Sequence, residues 1–195
     1  MRYSLSLVSV SLLSLGLFLG CSSKEEVPKK PDVDLSCVVE GVQAPEWVCG
    51  AQQYGNAITT IGSEPLSRIG VDFTHKEATR IAQKRMEQRS LRIAKEQSEA
   101  FILDHDISAA SVASSLSTQI ASSVSLYTSK RARELKRWEH NITKDDYVLL
   151  GISQNHFNEE MKRGIKDAYH SDDTRWQEFK DKNGSILLNQ DFPSQ

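Results

Sequence analysis

The sequence predicts a domain that mixes helices with strands. Two short runs rich in β-branched and aliphatic residues, Ala57–Ser63 and Tyr147–Ile152, have the length and composition of strands. Three longer stretches place apolar residues three and four positions apart, the spacing of one helix face. The chain has 195 residues, 38% hydrophobic and 26% charged, and aromatics at 7% allow a modest core. Lys+Arg 24 against Asp+Glu 26 leaves a net charge of −2, so no basic excess points to nucleic acid as a partner. Five prolines and ten glycines exclude a collagen-like or broadly low-complexity chain.

Taken in order, the first element is an export signal over residues 1–20. Arg2 is followed by no charge until Lys24, and an apolar run, Leu5–Leu19, lies between them. That run is shorter than the ~20 apolar residues that span a bilayer comfortably, which disfavours a single-span anchor. It ends in Phe18-Leu19-Gly20-Cys21, which resembles the bacterial lipobox, with Phe18 where leucine is commoner. The resemblance implies that the Cys21 thiol receives diacylglycerol and becomes the new N-terminus; an ordinary signal peptide cut near a cysteine is the alternative. The thiolate is a strong nucleophile, suited to such acylation. Ser22 follows instead of the aspartate that retains lipoproteins in the inner membrane, which favours the outer membrane of a Gram-negative cell. Acyl chains would then make the bilayer the chain's first partner, each buried CH₂ contributing ~0.8 kcal/mol.

Residues 21–44 are expected to be a lipidated flexible tether. Within them, 22–36 read SSKEEVPKKPDVDLS, too charged and too poor in bulky apolar groups to offset chain entropy. Setting Cys21 aside leaves Cys37 and Cys49, an even pair in an oxidising compartment and a candidate disulfide, with two reduced, unrelated cysteines as the alternative. No CxxC or neighbouring histidine completes a zinc site.

The strand at 57–63 is stopped by Gly62 and Pro65. Thr74 and Glu77 then form a capping-box pattern, predicting a helix from Thr74 to about Leu103. Ala78, Ala82, Met86, Ile93 and Ala100 fall on one side of it, a narrow stripe of small residues that would let a neighbour approach closely. Arg89 intrudes there and calls for a carboxylate partner or a solvated edge. Lys76, Arg80, Lys84, Arg85, Arg92 and Lys95 populate the remaining faces; a solvated face is the plain reading, an anionic partner the sharper one. Residues 104–128 are rich in serine and alanine, yet Ala109, Val112, Leu116, Ile120, Val124 and Tyr127 keep helical steps, so a second helix is expected there. Lys130–Trp138 is ambiguous between helix and edge strand. After the strand at Tyr147–Ile152, Phe157, Met161, Ile165 and Ala168 mark a helix over about Asn155–Tyr169. From His170 an acidic polar tail follows, with a turn at Asn183-Gly184; a mobile end is the default, although Ile186-Leu187-Leu188 could pack on the domain or a partner.

The series Cys21, Pro45-Glu46-Trp47-Val48, Ile58–Ser63, Asp72 with Ala78 and Ala82, and Tyr147–Gly151 before a terminal helix resembles the LPP-twenty family of bacterial outer-membrane lipoproteins, over about residues 45–169. The resemblance implies an α+β fold, with a small antiparallel sheet packed against two long helices and a C-terminal helix. It also implies that Lys130–Trp138 is a strand paired with Tyr147–Ile152. Members of that family serve in flagellar assembly and motility, outer-membrane integrity and surface antigenicity, and they share no enzymatic residues. The Cys37–Cys49 pair and the tail have no counterpart in its pattern.

The residues themselves offer no catalysis. His75, His105, His140, His156 and His170 are never three or four apart, so no helical pair chelates a metal. Asp104-His105-Asp106 reads as a polar helix end, and Asp145-Asp146 and Asp172-Asp173 as solvated turns. Nucleophile-elbow, P-loop and dinucleotide-binding patterns are missing, and no cofactor is implied. The expectation is a non-enzymatic, lipid-anchored protein of the outer membrane. It would self-associate as a structural component of the envelope or of a flagellar motor-associated disc, or else bind peptidoglycan or an envelope protein.

Overall fold

A computed structural model of the chain describes residues 37–50 and 54–193. The expected α+β architecture is present: a three-stranded antiparallel sheet lies against long helices. A small hairpin, β1 (Val38–Val39) and β2 (Val42–Gln43), leads into a 3-10 turn at Glu46–Cys49. Then follow β3 (Ala57–Glu64), α1 (Val71–Asp104), α2 (Ala110–Arg131), β4 (Arg133–Glu139), β5 (Asp146–Ser153), α3 (Gln154–His170), α4 (Asp173–Asp181) and α5 (Gly184–Asp191). In the larger sheet β5 is central, flanked by β3 and β4. Ala57 pairs with Ser153 and Glu64 with Asp146, while Arg133 pairs with Gly151 and Glu139 with Asp146. The expected strand over Lys130–Trp138, paired with Tyr147–Ile152, is present from Arg133 onward, and a bulge between Glu134 and Lys136 interrupts the ladder.

The two long helices pack through small side chains. In α1 the buried positions recur every fourth residue: Thr74, Ala78, Ala82, Met86, Ser90, Ala94, Ser98 and Ile102. In α2 they include Ala113, Ser117, Ala121, Ser125 and Ser129, again four apart. Such rows form the ridges along which helices interdigitate, and short side chains bring the axes close. Buried serines need partners, and each helix supplies its own. The hydroxyls of Ser90, Ser98, Ser117, Ser125 and Ser129 donate to carbonyls three or four residues earlier. This close pairing corrects two details of the expected stripes. Ala100 of α1 and both ends of the α2 stripe, Ala109 and Tyr127, are exposed, because the contact follows a four-residue row.

The helix start also differs from expectation. α1 begins at Val71, capped by Gly70 at φ 120°, a backbone conformation open to glycine. Thr74 is buried one turn in, where its Oγ1 accepts from the Ser67 amide and donates to the Gly70 carbonyl. Glu77 pairs with Arg80 instead of closing a capping box.

Two expected boundaries move outward. Residues 37–44 of the supposed tether are folded, with Cys37 and Ala44 buried. The acidic tail is also folded: Phe179, Leu188 and Phe192 are buried, and the Tyr169 and Phe179 rings lie 5.0 Å apart. Three bulky apolar groups suffice to hold the tail, and Asn183, left-handed at φ 56°, reverses the chain so that α5 folds back.

Gly62 shows how tightly β3 meets α1. A methyl at this position would fall on the Ala78 carbonyl oxygen and the Ala82 amide nitrogen, both backbone atoms. Next to it Thr60 Oγ1 donates to the Ala82 carbonyl at 2.9 Å. Gly62→Ala is therefore expected to destabilise the fold by about 1–3 kcal/mol through overpacking, measured as a lowered midpoint in urea unfolding.

Candidate functional site

A cavity lies along the outer edge of β3, where among the described residues the strand has no neighbour. It is a groove of about 760 Å³ whose walls include Trp47, Leu149, Ile93 and the β3 backbone. The charged residues lining it are Arg85 and Arg89. Arg85 Nη1 donates to the Ile61 carbonyl and Arg89 Nη1 to the Thr59 carbonyl, each at 2.6 Å. The register of this stitch is geometric. Four residues along α1 rise ~6 Å, and two residues along β3 rise ~6.6 Å, so successive outward carbonyls meet successive guanidinium groups. Arg89 takes no carboxylate; it stands at a solvated edge, one of the two expected outcomes, and from there donates to the backbone of the sheet edge. A guanidinium carries five N–H donors in a planar fork, so a pair in one groove makes a surface that receives carboxylates.

A second polar cluster sits at the end of the sheet where β5 begins. Asp146 is fully buried, although the sequence places it in a solvated turn. Its carboxylate accepts from Arg137 Nε at 2.9 and 3.1 Å and lies 2.8 Å from His75 Nδ1. His75 Nε2 in turn lies 3.3 Å from Glu134. The hydrogen bond to Asp146 raises the Arg137 pKa above its ordinary value. Three elements, α1, β4 and β5, are pinned by this one carboxylate. Held from α1 and β4 at once, the buried carboxylate rivets the helix to the sheet.

Cys21 lies outside the described residues. Cys37 and Cys49 are joined in a disulfide with Cα atoms 5.7 Å apart, closing the loop that holds the buried Trp47. His105 contacts Asp191 at 2.7 Å, His140 the Val39 carbonyl at 3.2 Å, His156 the Ser153 hydroxyl at 2.8 Å, and His170 stacks on Trp176. The structure brings no two of the histidines together, and among the described residues no group of three or more His, Cys, Asp or Glu could hold a metal. Asp104–Asp106 ends α1 as expected, and Asp172 caps α4 by accepting from the Arg175 amide, a bond that lowers the Asp172 pKa. Of the basic helix, Arg80 and Arg92 pair with Glu77 and Glu96 on the surface. Among the described residues no helix is long and apolar enough to cross a membrane. Compared with protein-family models, curated proteins and solved structures, the chain matches none.

In the sequence Arg85 looks like one more surface charge and Asp146 like a turn residue. The signal for the first was the spacing of Arg85 and Arg89, one turn apart beside a short-chained stripe; for the second it was a carboxylate abutting a wholly apolar strand. Removing the buried carboxylate takes charge-assisted hydrogen bonds from Arg137 and His75, but Arg137 is 38% exposed and can be hydrated, so Asp146→Ala should cost about 1.5–3 kcal/mol. Glu134→Ala, at the exposed end of the same cluster, should cost under ~1 kcal/mol. Equilibrium denaturation of the two variants side by side checks the contrast.

Proposed function

We propose that this protein is a lipid-anchored component of the Gram-negative outer membrane that works by binding, with the β3 groove as the site that holds an acidic envelope partner. The observation that carries the reading is the pairing of Arg85 and Arg89 in this groove, with no carboxylate among its lining residues. Peptide stems of the cell wall carry free carboxylates, the groups that paired guanidinium groups receive. The lipobox-like Cys21 supports the anchor, and the likeness to LPP-twenty lipoproteins supports the envelope as the setting.

The alternative, self-association into an envelope or motor-associated disc, has less surface to draw on. The small residues of α1 that would admit a second copy are buried against α2 and β3 within one chain. The β3 edge is stitched by two arginines, and the β4 edge is short, charged and bulged, all devices that discourage strand pairing. Partner capture therefore accounts for more of the geometry than ring assembly does.

Two measurements test the reading. Intact-mass analysis of membrane-extracted protein should give a chain beginning at diacylated Cys21; an unacylated product cut elsewhere would refute the anchor. Purified sacculi should retain the protein at low salt, and Arg85→Gln with Arg89→Gln should weaken retention at least tenfold, since a charge-assisted hydrogen bond contributes about 1.5–3 kcal/mol. Equal retention of the double variant and the parent would discard the groove as the binding site.

A further inference from the structure

The exposed apolar side chains are not evenly spread. Leu66, Ile69, Val71 and Phe73 follow one another around the start of α1, and Ile69 is 73% exposed. Ile142, 72% exposed, sits at the tip of the β4–β5 hairpin. Val38, 45% exposed, belongs to the β1–β2 hairpin. Three contacts place these segments at one end of the molecule. The Leu66 amide donates to Asp145 at 3.1 Å, tying the loop before α1 to the β4–β5 hairpin. His75 reaches Asp146 from α1, and His140 Nε2 lies 3.2 Å from the Val39 carbonyl, adding the first hairpin. Among the described residues, half of the exposed large hydrophobic side chains thus gather where β5 begins, and patches of this kind mark interaction surfaces.

We propose that this end is a membrane-contact tip: Leu66, Ile69, Val71, Phe73, Ile142 and Val38 enter the lipid interface of the bilayer that holds the acylated Cys21. The inference rests on the anchored reading above. Its occupant is indicated by where the folded chain starts. Cys37 stands next to Val38 at this same end, and residues 22–36 separate it from Cys21. Whatever its conformation, that segment spans at most ~55 Å at 3.3–3.6 Å per residue. An anchor so close presents the tip to lipid at an effective concentration in the millimolar range, where a weakly binding patch is engaged. The charges around the tip are mixed and lean acidic, Arg68 and Lys144 against Glu40, Glu64, Asp72 and Asp145, so apolar burial and not headgroup attraction drives the contact. Docked this way, α1 carries the remainder of the domain away from the membrane, since its 34 residues rise about 50 Å.

The test uses the full, acylated chain in vesicles of phosphatidylethanolamine and phosphatidylglycerol. With Cys21 acylated and Cys37 bonded to Cys49, a cysteine introduced at Ile69→Cys is the only free thiol and takes an environment-sensitive fluorophore. Ile186→Cys is the matched control: it is 59% exposed, and it lies on α5, whose end is tied to the far end of α1 by the Asp191–His105 contact. The fluorophore at position 69 should emit to the blue of its aqueous maximum and be quenched by brominated lipid, while position 186 stays aqueous. Adding Phe73→Ser and Ile142→Ser should abolish the shift at 69. Aqueous emission at both positions would overturn the proposal. So would a shift at 69 that grows with protein density per vesicle, the mark of a second copy covering the tip. Vesicle flotation reports the anchor separately. A chain that fails to float refutes acylation together with the tip that depends on it; a chain that floats with a wet position 69 refutes the tip alone.

Discussion

Close approach of backbones is the constraint on which this architecture depends. α1 touches the sheet through Ala78 and Ala82, and α2 through a row of alanines and serines. At both contacts a larger side chain would push the elements apart. A 34-residue helix with so few large apolar groups would bury little by itself, and its stability comes from being near its neighbours. Short side chains also shed little rotamer entropy on burial. Serine fits this scheme because its hydroxyl is satisfied within its own helix, so it can be buried without a partner across the interface. The bulkier part of the core, Phe101, Ile102, Phe157, Met161, Ile165, Tyr169 and Phe179, collects where α3 and the last two helices close over the far end of the helical pair.

Local periodicity carried most of the fold. β3, β5 and α3 were legible because each has a pattern of its own, alternating or helical, bounded by turn residues. α2 was legible despite its serines, since Leu116, Ile120 and Val124 keep step. The boundaries that moved did so for tertiary reasons. Phe179, Leu188 and Phe192 are too few and too widely spaced to announce a packed tail, and they act only because Phe101 and Tyr169 stand ready to receive them. β4 has nearly every side chain exposed, so neither period could identify it; its strand conformation comes from the ladder with β5.

Less of the candidate site was legible. Arg85 and Arg89 look like members of a charged helical face, and the reason for their orientation lies in another element, the carbonyls of Thr59 and Ile61. Asp146 is similar: a carboxylate after two polar residues reads as solvated until His75 and Arg137 arrive from α1 and β4. Long-range pairing of polar groups leaves no periodic trace, whereas apolar burial does. The Cys37–Cys49 bond fastens the covering loop, Trp47 included, beside the same sheet that the arginines border. A covalent closure and an edge stitch thereby fix two sides of one groove.

The arginine stitch also bears on the order in which the chain can assemble. β3 pairs with a strand about 90 residues further on, Ala57 with Ser153, whereas Arg85 and Arg89 follow their carbonyl acceptors by only 24 and 30 residues. A polypeptide emerging N-terminus first from a ribosome or a secretion channel therefore meets the guanidinium groups long before it meets β5. Nearby partners close a loop at smaller entropic cost than distant ones. One flank of a bare, β-branched strand is thus occupied early, so newly made copies crowded at the exit have a single open flank by which to zip together while β5 is still being made.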